Sequence, residues 1–237
     1  MIDIDAHQTP PLTGSAFPFG SQQFREYFRN NVAGRLNGTF YALANFLILI
    51  AIIGALAIAI PSYERYFLLL LPVYFLFVNG IEYTLHRFPM HHKTKGFEVV
   101  YEHVTIHHNF FADRNFYFEQ PKDYYAAILP YYIFIGLTLV ITAVSGLIYV
   151  GFGLNNALFF ALVAYAYYLL YELLHFSYHT SENSFVKKLP FLKGLSRQHI
   201  LHHQTRLMAH YNFNITFPIF DWLFHTNYKE KDPVSMP

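Results

Sequence analysis

The sequence predicts an all-α integral membrane fold: four transmembrane helices arranged as two hairpins, with a cytoplasmic, histidine-rich helical cap. Three observations carry this expectation. Of 237 residues, 54% are hydrophobic, 20% aromatic and only 13% charged, whereas a soluble domain carries about 25% charged residues. Four apolar runs approach the roughly 20 residues a helix needs to cross a bilayer core. Most of the 14 histidines gather where two of these runs end and in the segments beyond them.

Taken in order, the opening "MIDIDAHQTPPLTGS" is polar and acidic, with two adjacent prolines. It lacks the basic start and apolar run of a signal peptide and is read as a flexible leader. The first span is residues 40–60, 21 residues without a charge, stopped by Pro61. The second, residues 66–85, is apolar through Val78 and then polar at Asn79, Glu82 and Thr84. The third, residues 124–151, is long enough to tilt or kink near Pro130. The fourth, residues 157–174, has Glu172 as its only charge. The joints "PSYER" and "FGLNN" are short, so the spans pair as two helical hairpins separated by a long loop. The expected division is a polar leader and juxtamembrane segment at 1–38, a membrane domain at 39–227 and a tail at 228–237.

Charge placement orients the spans. Of the 16 Lys and Arg residues, only Arg65 falls in a joint between paired spans. Arg25, Arg29 and Arg35 precede span one; Arg87, Lys93, Lys95, Arg114 and Lys122 separate spans two and three; the remaining seven follow span four. Four crossings put these three segments on one side, which the positive-inside rule makes cytoplasmic. Both termini and every histidine cluster are then expected in that compartment. Tyr63, Tyr66, Tyr124 and Tyr125 near the span ends read as interfacial belts.

Polar residues inside the spans are ordered. Tyr165, Tyr168, Glu172, His175 and His179 follow at spacings of three, four, three and four, a single stripe on a helix. Asn79, Glu82 and His86 repeat the design in span two. In lipid such groups turn toward protein or water, so both stripes are expected to face the bundle interior. Pro89 disfavours helix at Phe88, so a turn is expected there that returns His91 and His92 to the helix end. Beyond the spans, His199, His202 and His203 fall within about 100° of one helical face. His103 and His107 also share a face, whereas His108 would need a second metal or another local conformation. Lone His7, His210 and His92 read as surface or satisfied core residues.

Each half thus has two spans, a histidine pair at the end of the second, and a triple 12 or 20 residues later. The first half offers His86, His91, His103, His107 and His108, and the second His175, His179, His199, His202 and His203. Ten imidazoles are too many for one ion and suit two. No cysteine is present, which excludes disulfides, thiolate-bound zinc, iron–sulfur clusters and thiol catalysis. Imidazole alone does not choose among zinc, copper, iron and nickel. A mononuclear zinc hydrolase would leave six of the ten unexplained. A membrane haem protein would want single axial histidines deep inside helices. Two irons held mostly by neutral nitrogen suit reductive activation of dioxygen and attack on an unactivated C–H bond. A divalent-metal transporter or sensor is the alternative of another class, against which stands the lack of a polar path to the opposite face.

The series "HRFPMH", "HVTIHH", "HFSYH" and "HILHH" resembles the ordered histidine boxes of the fatty acid hydroxylase/sterol desaturase superfamily, from about Glu82 to Thr226. The resemblance implies an integral membrane oxygenase in which these ten histidines ligate two irons (or zinc, as purified), with dioxygen as co-substrate. It implies a lipid substrate, most simply a fatty acyl chain to be hydroxylated. Desaturation, or oxidation of a sterol or aldehyde, on the same site is the alternative. It also implies an external electron donor of cytochrome b5 or ferredoxin type, since the sequence shows no segment of either kind; a nucleic acid is not expected as a partner. The family's closing Trp-Asp-x-x-Phe-Gly-Thr signature matches "FDWLFHT", with Phe220 for the tryptophan and His225 for the glycine. His225 is read as a surface residue. Candidates to orient the ligands are Glu82 and Glu172, each one helical turn before a box histidine and able to accept its N–H. Helix–helix hydrogen bonding is the competing reading for both. Asn109 and Glu102 flank the second box, and Asp221 lies in the closing signature.

Overall fold

A computed structural model of the protein describes residues 17–96, 100–113 and 115–229. The leader with His7, Arg114, and most of the C-terminal tail lie outside the described residues. Helix α1 (Gln22–Tyr27) leads to the first long helix, α2 (Gly38–Ala59). A short joint connects it to α3 (Phe67–Leu85). Short α4 (Tyr124–Ala127) precedes the long pair α5 (Tyr131–Phe152) and α6 (Leu154–Tyr178). The cap then adds α7 (Phe185–Lys188), α8 (Pro190–His202) and α9 (Ile219–Leu223). Four helical segments are long and apolar enough to cross a membrane, as the composition predicts.

The four long helices are not equivalent. Helices α2, α3 and α5 all pack against α6, whose inward stripe of Tyr165, Tyr168, Glu172, His175 and His179 is buried throughout. The outer three carry the apolar surface, with Leu68, Leu139 and Val150 strongly exposed; lipid is the medium that accepts such surface. Between α5 and α6 the joint contracts to Gly153 at φ +85°, left-handed backbone that suits glycine.

Span three differs from the sequence expectation. Extended backbone at Ile128 separates α4 from α5, so the apolar crossing helix itself begins at Tyr131. Pro130 accounts for the break, because proline disfavours helix at the residue before it and opens the next helix well. Helix α4 is thereby released into the cap. A charged network, with Asp123 buried at its centre, fastens α1 and the turn after it to the entry of α4. Asp123 accepts from Arg25 Nη2 at 3.1 Å and from Arg29 Nε at 2.7 Å, and Glu119 accepts from Arg29 Nη2 at 2.7 Å.

The turn expected at Phe88 also does not form. The chain winds on from α3 through a widened π turn, His86–Met90, with Pro89 inside it. Proline removes one α-helical hydrogen bond and collides with the carbonyl four residues back; the wider i→i+5 winding relieves both. A second π turn covers His103–His108.

Candidate metal centre

These two π turns place the histidines. In an α-helix, residues five apart point about 140° from each other; at about 4.4 residues per turn they come within about 50°. His86 and His91 are five apart, and so are His103 and His108. The widened winding therefore stacks each pair on one side. The His86 and His91 Nε2 atoms approach to 3.1 Å. His103 groups with His108 and not with His107, contrary to the α-helical expectation. His108 finds its place through the altered winding.

The ten box histidines form two groups of five, all buried. The first contains His86, His91, His103, His108 and His202, and the second His107, His175, His179, His199 and His203. Within each group the candidate ligand atoms lie within 4.8 Å of one another. The division does not follow the chain halves: His107 from the first half joins the second group, and His202 from the second half joins the first. Helix α8 makes the exchange possible by presenting His202 to one group and His199 and His203 to the other. His92 stays exposed, its Nδ1 donating to the Arg87 carbonyl at 2.6 Å, and His210 and His225 are exposed as expected.

Five rings have a fixed tautomer. The Nδ1–H groups of His86, His107, His179, His202 and His203 donate to the carbonyls of Phe213, Ala126, Phe116, Tyr211 and Phe111. A carbonyl only accepts, so Nδ1 carries the proton and Nε2 of the neutral ring presents a lone pair. Yet His107 Nε2 lies 3.0 Å from His203 Nε2. Two lone pairs at that distance repel unless a cation stands between them. His91 accepts no better arrangement, lying 3.0 Å from His202 Nε2 with its own Nδ1 buried and unpartnered. Both nitrogens of His108 are likewise buried without a partner. Burial holds His91, His103, His108, His179, His199, His202 and His203 well below their usual range, and His107 down to about 3. Neutral imidazole is the form that binds metal. The donor set therefore fits two metal ions held by nitrogen alone.

Of the two readings of Glu82, the structure shows contacts of the helix–helix kind, to Tyr167 of α6. Among the described residues, Glu82 and Glu172 receive no imidazole N–H. Glu82 accepts from the backbone N–H groups of Ile215 and Thr216 and from the Thr216 and Tyr167 hydroxyls. Asn79 donates to the Phe217 carbonyl at 3.1 Å and Asn214 Nδ2 to the Asn79 carbonyl at 3.1 Å. Irregular backbone alongside a membrane helix is tolerated only where its polar groups are met, and the polar stripe of α3 meets them. Glu172 accepts the Leu129 N–H at 3.3 Å, holding the break before α5. Asp221, fully buried, accepts from Phe213 N at 3.0 Å, Asn214 N at 2.7 Å and Thr226 Oγ1 at 2.7 Å. It thus steadies the residue whose carbonyl holds His86. Asn109 accepts the Gly20 N–H at 2.7 Å, tying the N-terminal segment to the cap, and Glu102 accepts from the Tyr132 hydroxyl. His225 sits at φ +56°, left-handed backbone, which gives a physical reason for glycine at this place in the superfamily signature. The sequence reading missed the five ring-holding carbonyls, which carry no side-chain signal. It also missed Tyr167, Asn214 and Thr216; the polar alternation of "NFNIT" was the available hint.

In overall fold the chain resembles a solved structure titled full-length Scs7p, of which only the hydroxylase domain is visible. The TM-score is 0.60 at 18% identity, covering 95% of this chain and 84% of that one. A search of curated proteins finds no sequence match. The model of the family described as "Fatty acid hydroxylase" matches residues 71–226, which contain all ten clustered histidines. The chain therefore belongs to the fatty acid hydroxylase family.

Proposed function

We propose that the protein is a membrane di-iron oxygenase that hydroxylates an aliphatic lipid, a fatty acyl chain, with dioxygen and electrons from a separate donor. The observation that carries this reading is the pair of five-imidazole groups, with unprotonated nitrogens turned toward each other and no carboxylate among them. His86, His91, His103, His108 and His202 would hold one iron, and His107, His175, His179, His199 and His203 the other. Bound there, the irons would supply reductive activation of dioxygen for attack on an unactivated C–H bond. The protein's own contribution is fixed geometry: five carbonyls lock ring orientation, and Phe111, Phe116 and Phe213 pack against the imidazoles and exclude water.

The basic residues flanking the spans support a cytoplasmic location for the site and both termini. Exposed Lys93, Lys95, Lys188 and Lys193 would favour an acidic carrier of cytochrome b5 or ferredoxin type. The test is elemental analysis of detergent-purified protein beside His107→Ala and His202→Ala. About two irons per chain, reduced in both variants, together with lipid products sixteen mass units heavier, are expected. Metal content unchanged in both variants would refute the ligand assignment, and products two units lighter would move the reaction to desaturation.

A further inference from the structure

Two cavities meet beside the histidines. One reaches His103, His107 and His175 past Glu102 and Tyr132. The other runs along α6 between α3 and α5. Met90 and Leu129 line both. The second cavity has a direction. Glu82, His86 and Tyr171 stand at its cap end, and Val78, Val144 and Phe160 at its deep end. Phe160 and Tyr171 are eleven positions apart on α6, about 16 Å at the rise of an α-helix. An extended chain advances about 1.2 Å per bond, so roughly 13 carbons span that length.

The lining suits an alkyl chain. The Tyr167 hydroxyl is turned away to Glu82 and Thr216, and Val78, Val140, Val144, Phe160 and Ala164 offer only hydrocarbon. Ala164 contributes a single methyl one turn above Phe160, leaving the bore open. Phe160 is 2% exposed and braced edge-on by Tyr74 at 5.3 Å and Phe77 at 6.0 Å. Val140 lines the cavity yet is 43% exposed on the outer surface, which marks an opening sideways toward lipid.

We infer that this cavity is the chamber for the tail of one unbranched acyl chain, entered from the bilayer between α3 and α5. Phe160 is its floor and fixes how many carbons lie beyond the reacting one. This rests on the proposed hydroxylase reading for the identity of the chain, but the chamber is testable without turnover. Full-length protein in detergent is photolysed with saturated fatty acids carrying a diazirine at the terminal carbon, and labelled peptides are mapped. Label is expected on α6 near Phe160 and Ala164 and on α5 near Val144, with at least a tenfold loss in Ala164→Trp. Phe160→Ala removes a ring about 3–4 Å deep and moves the preferred chain length up by about three carbons; it carries the test if Ala164→Trp does not fold. Label confined to lipid-facing residues such as Ile48 and Leu139 and unchanged by either variant, or an equally competing sterol, overturns the chamber. Metal content on the same samples separates the two readings. A labelled chamber in protein that holds no metal sinks the oxygenase proposal alone, whereas loaded, hydroxylating protein without chamber label sinks the chamber alone.

Discussion

Asp221→Asn tests how the cap holds its first histidine group. The carboxylate is fully buried and receives three donors, from Phe213 N, Asn214 N and Thr226 Oγ1. The amide keeps the shape but replaces one oxygen with a donor, which then faces a backbone N–H. At least one charge-assisted hydrogen bond is lost, worth about 1.5–3 kcal/mol, and a buried donor is left unmet. The loop relaxes at Phe213, and the His86 ring loses the carbonyl that fixes its tautomer. Loss of such a supporting contact typically weakens metal binding by about 10–100-fold, or about 1.4–2.8 kcal/mol. Only the group containing His86 is affected, because the second group leans on the carbonyls of Phe111, Phe116 and Ala126. Chelator titration of purified protein, following metal per chain, is therefore expected to become biphasic. One metal leaves at about 10–100-fold lower chelator and the other leaves as in wild type. Equal weakening of both metals, or of neither, would refute the chain of contacts from Asp221 to His86.

Three further outcomes are expected. Glu82→Ala removes the acceptor of two backbone N–H groups and two hydroxyls; at about 1–3 kcal/mol for each buried group left unmet it should lower the thermal midpoint sharply, whereas Glu172→Gln should leave metal content unchanged. The cap histidines are held neutral in the fold, with His107 at about 3, against about 6.5 in the unfolded chain. As pH falls below about 6.5 the unfolded chain takes up protons that the fold refuses, so stability falls with pH across that window. The midpoint of chelated protein should be lower at pH 5.5 than at pH 7.5 and flat from 7.5 to 8.5; a flat profile down to pH 5 would contradict this. Gly153→Ala places a side chain at φ +85° and should cost about 1–2 kcal/mol in thermal unfolding; an unchanged midpoint would show that the α5–α6 joint tolerates strain.

Much of this architecture was legible because lipid imposes simple rules. Charge-free runs, a stripe spaced for one helix face, and basic residues on alternate segments leave few arrangements of four helices. The histidine boxes were legible for the same reason, since imidazoles in apolar sequence need a purpose. Their sorting was not. Standard α-helical spacing pairs His103 with His107, and only the π winding pairs it with His108. The proline at position 89 signalled a disturbance but not whether the chain would turn or widen. Carboxylates one turn from a ligand look poised to support it, yet Glu172 is spent on the Leu129 N–H and Glu82 on the backbone of residues 215–216. That segment's demand for acceptors arises from its depth beside α3, which sequence spacing does not express.

The exchange of His107 and His202 between the groups bears on how the protein comes into being. With both groups loaded as proposed, neither hairpin can complete a metal site alone. The ligand that finishes the first group is translated 94 residues after His108. During synthesis the early histidines must wait, unmetallated or loosely so, until α8 arrives. Each ion would then add a clasp between hairpins already joined at Tyr167 by Asn79 and Glu82. Two co-expressed fragments, cut in the linker between the second π turn and α4 so that both groups are split, should accordingly copurify when iron is supplied and separate when it is stripped.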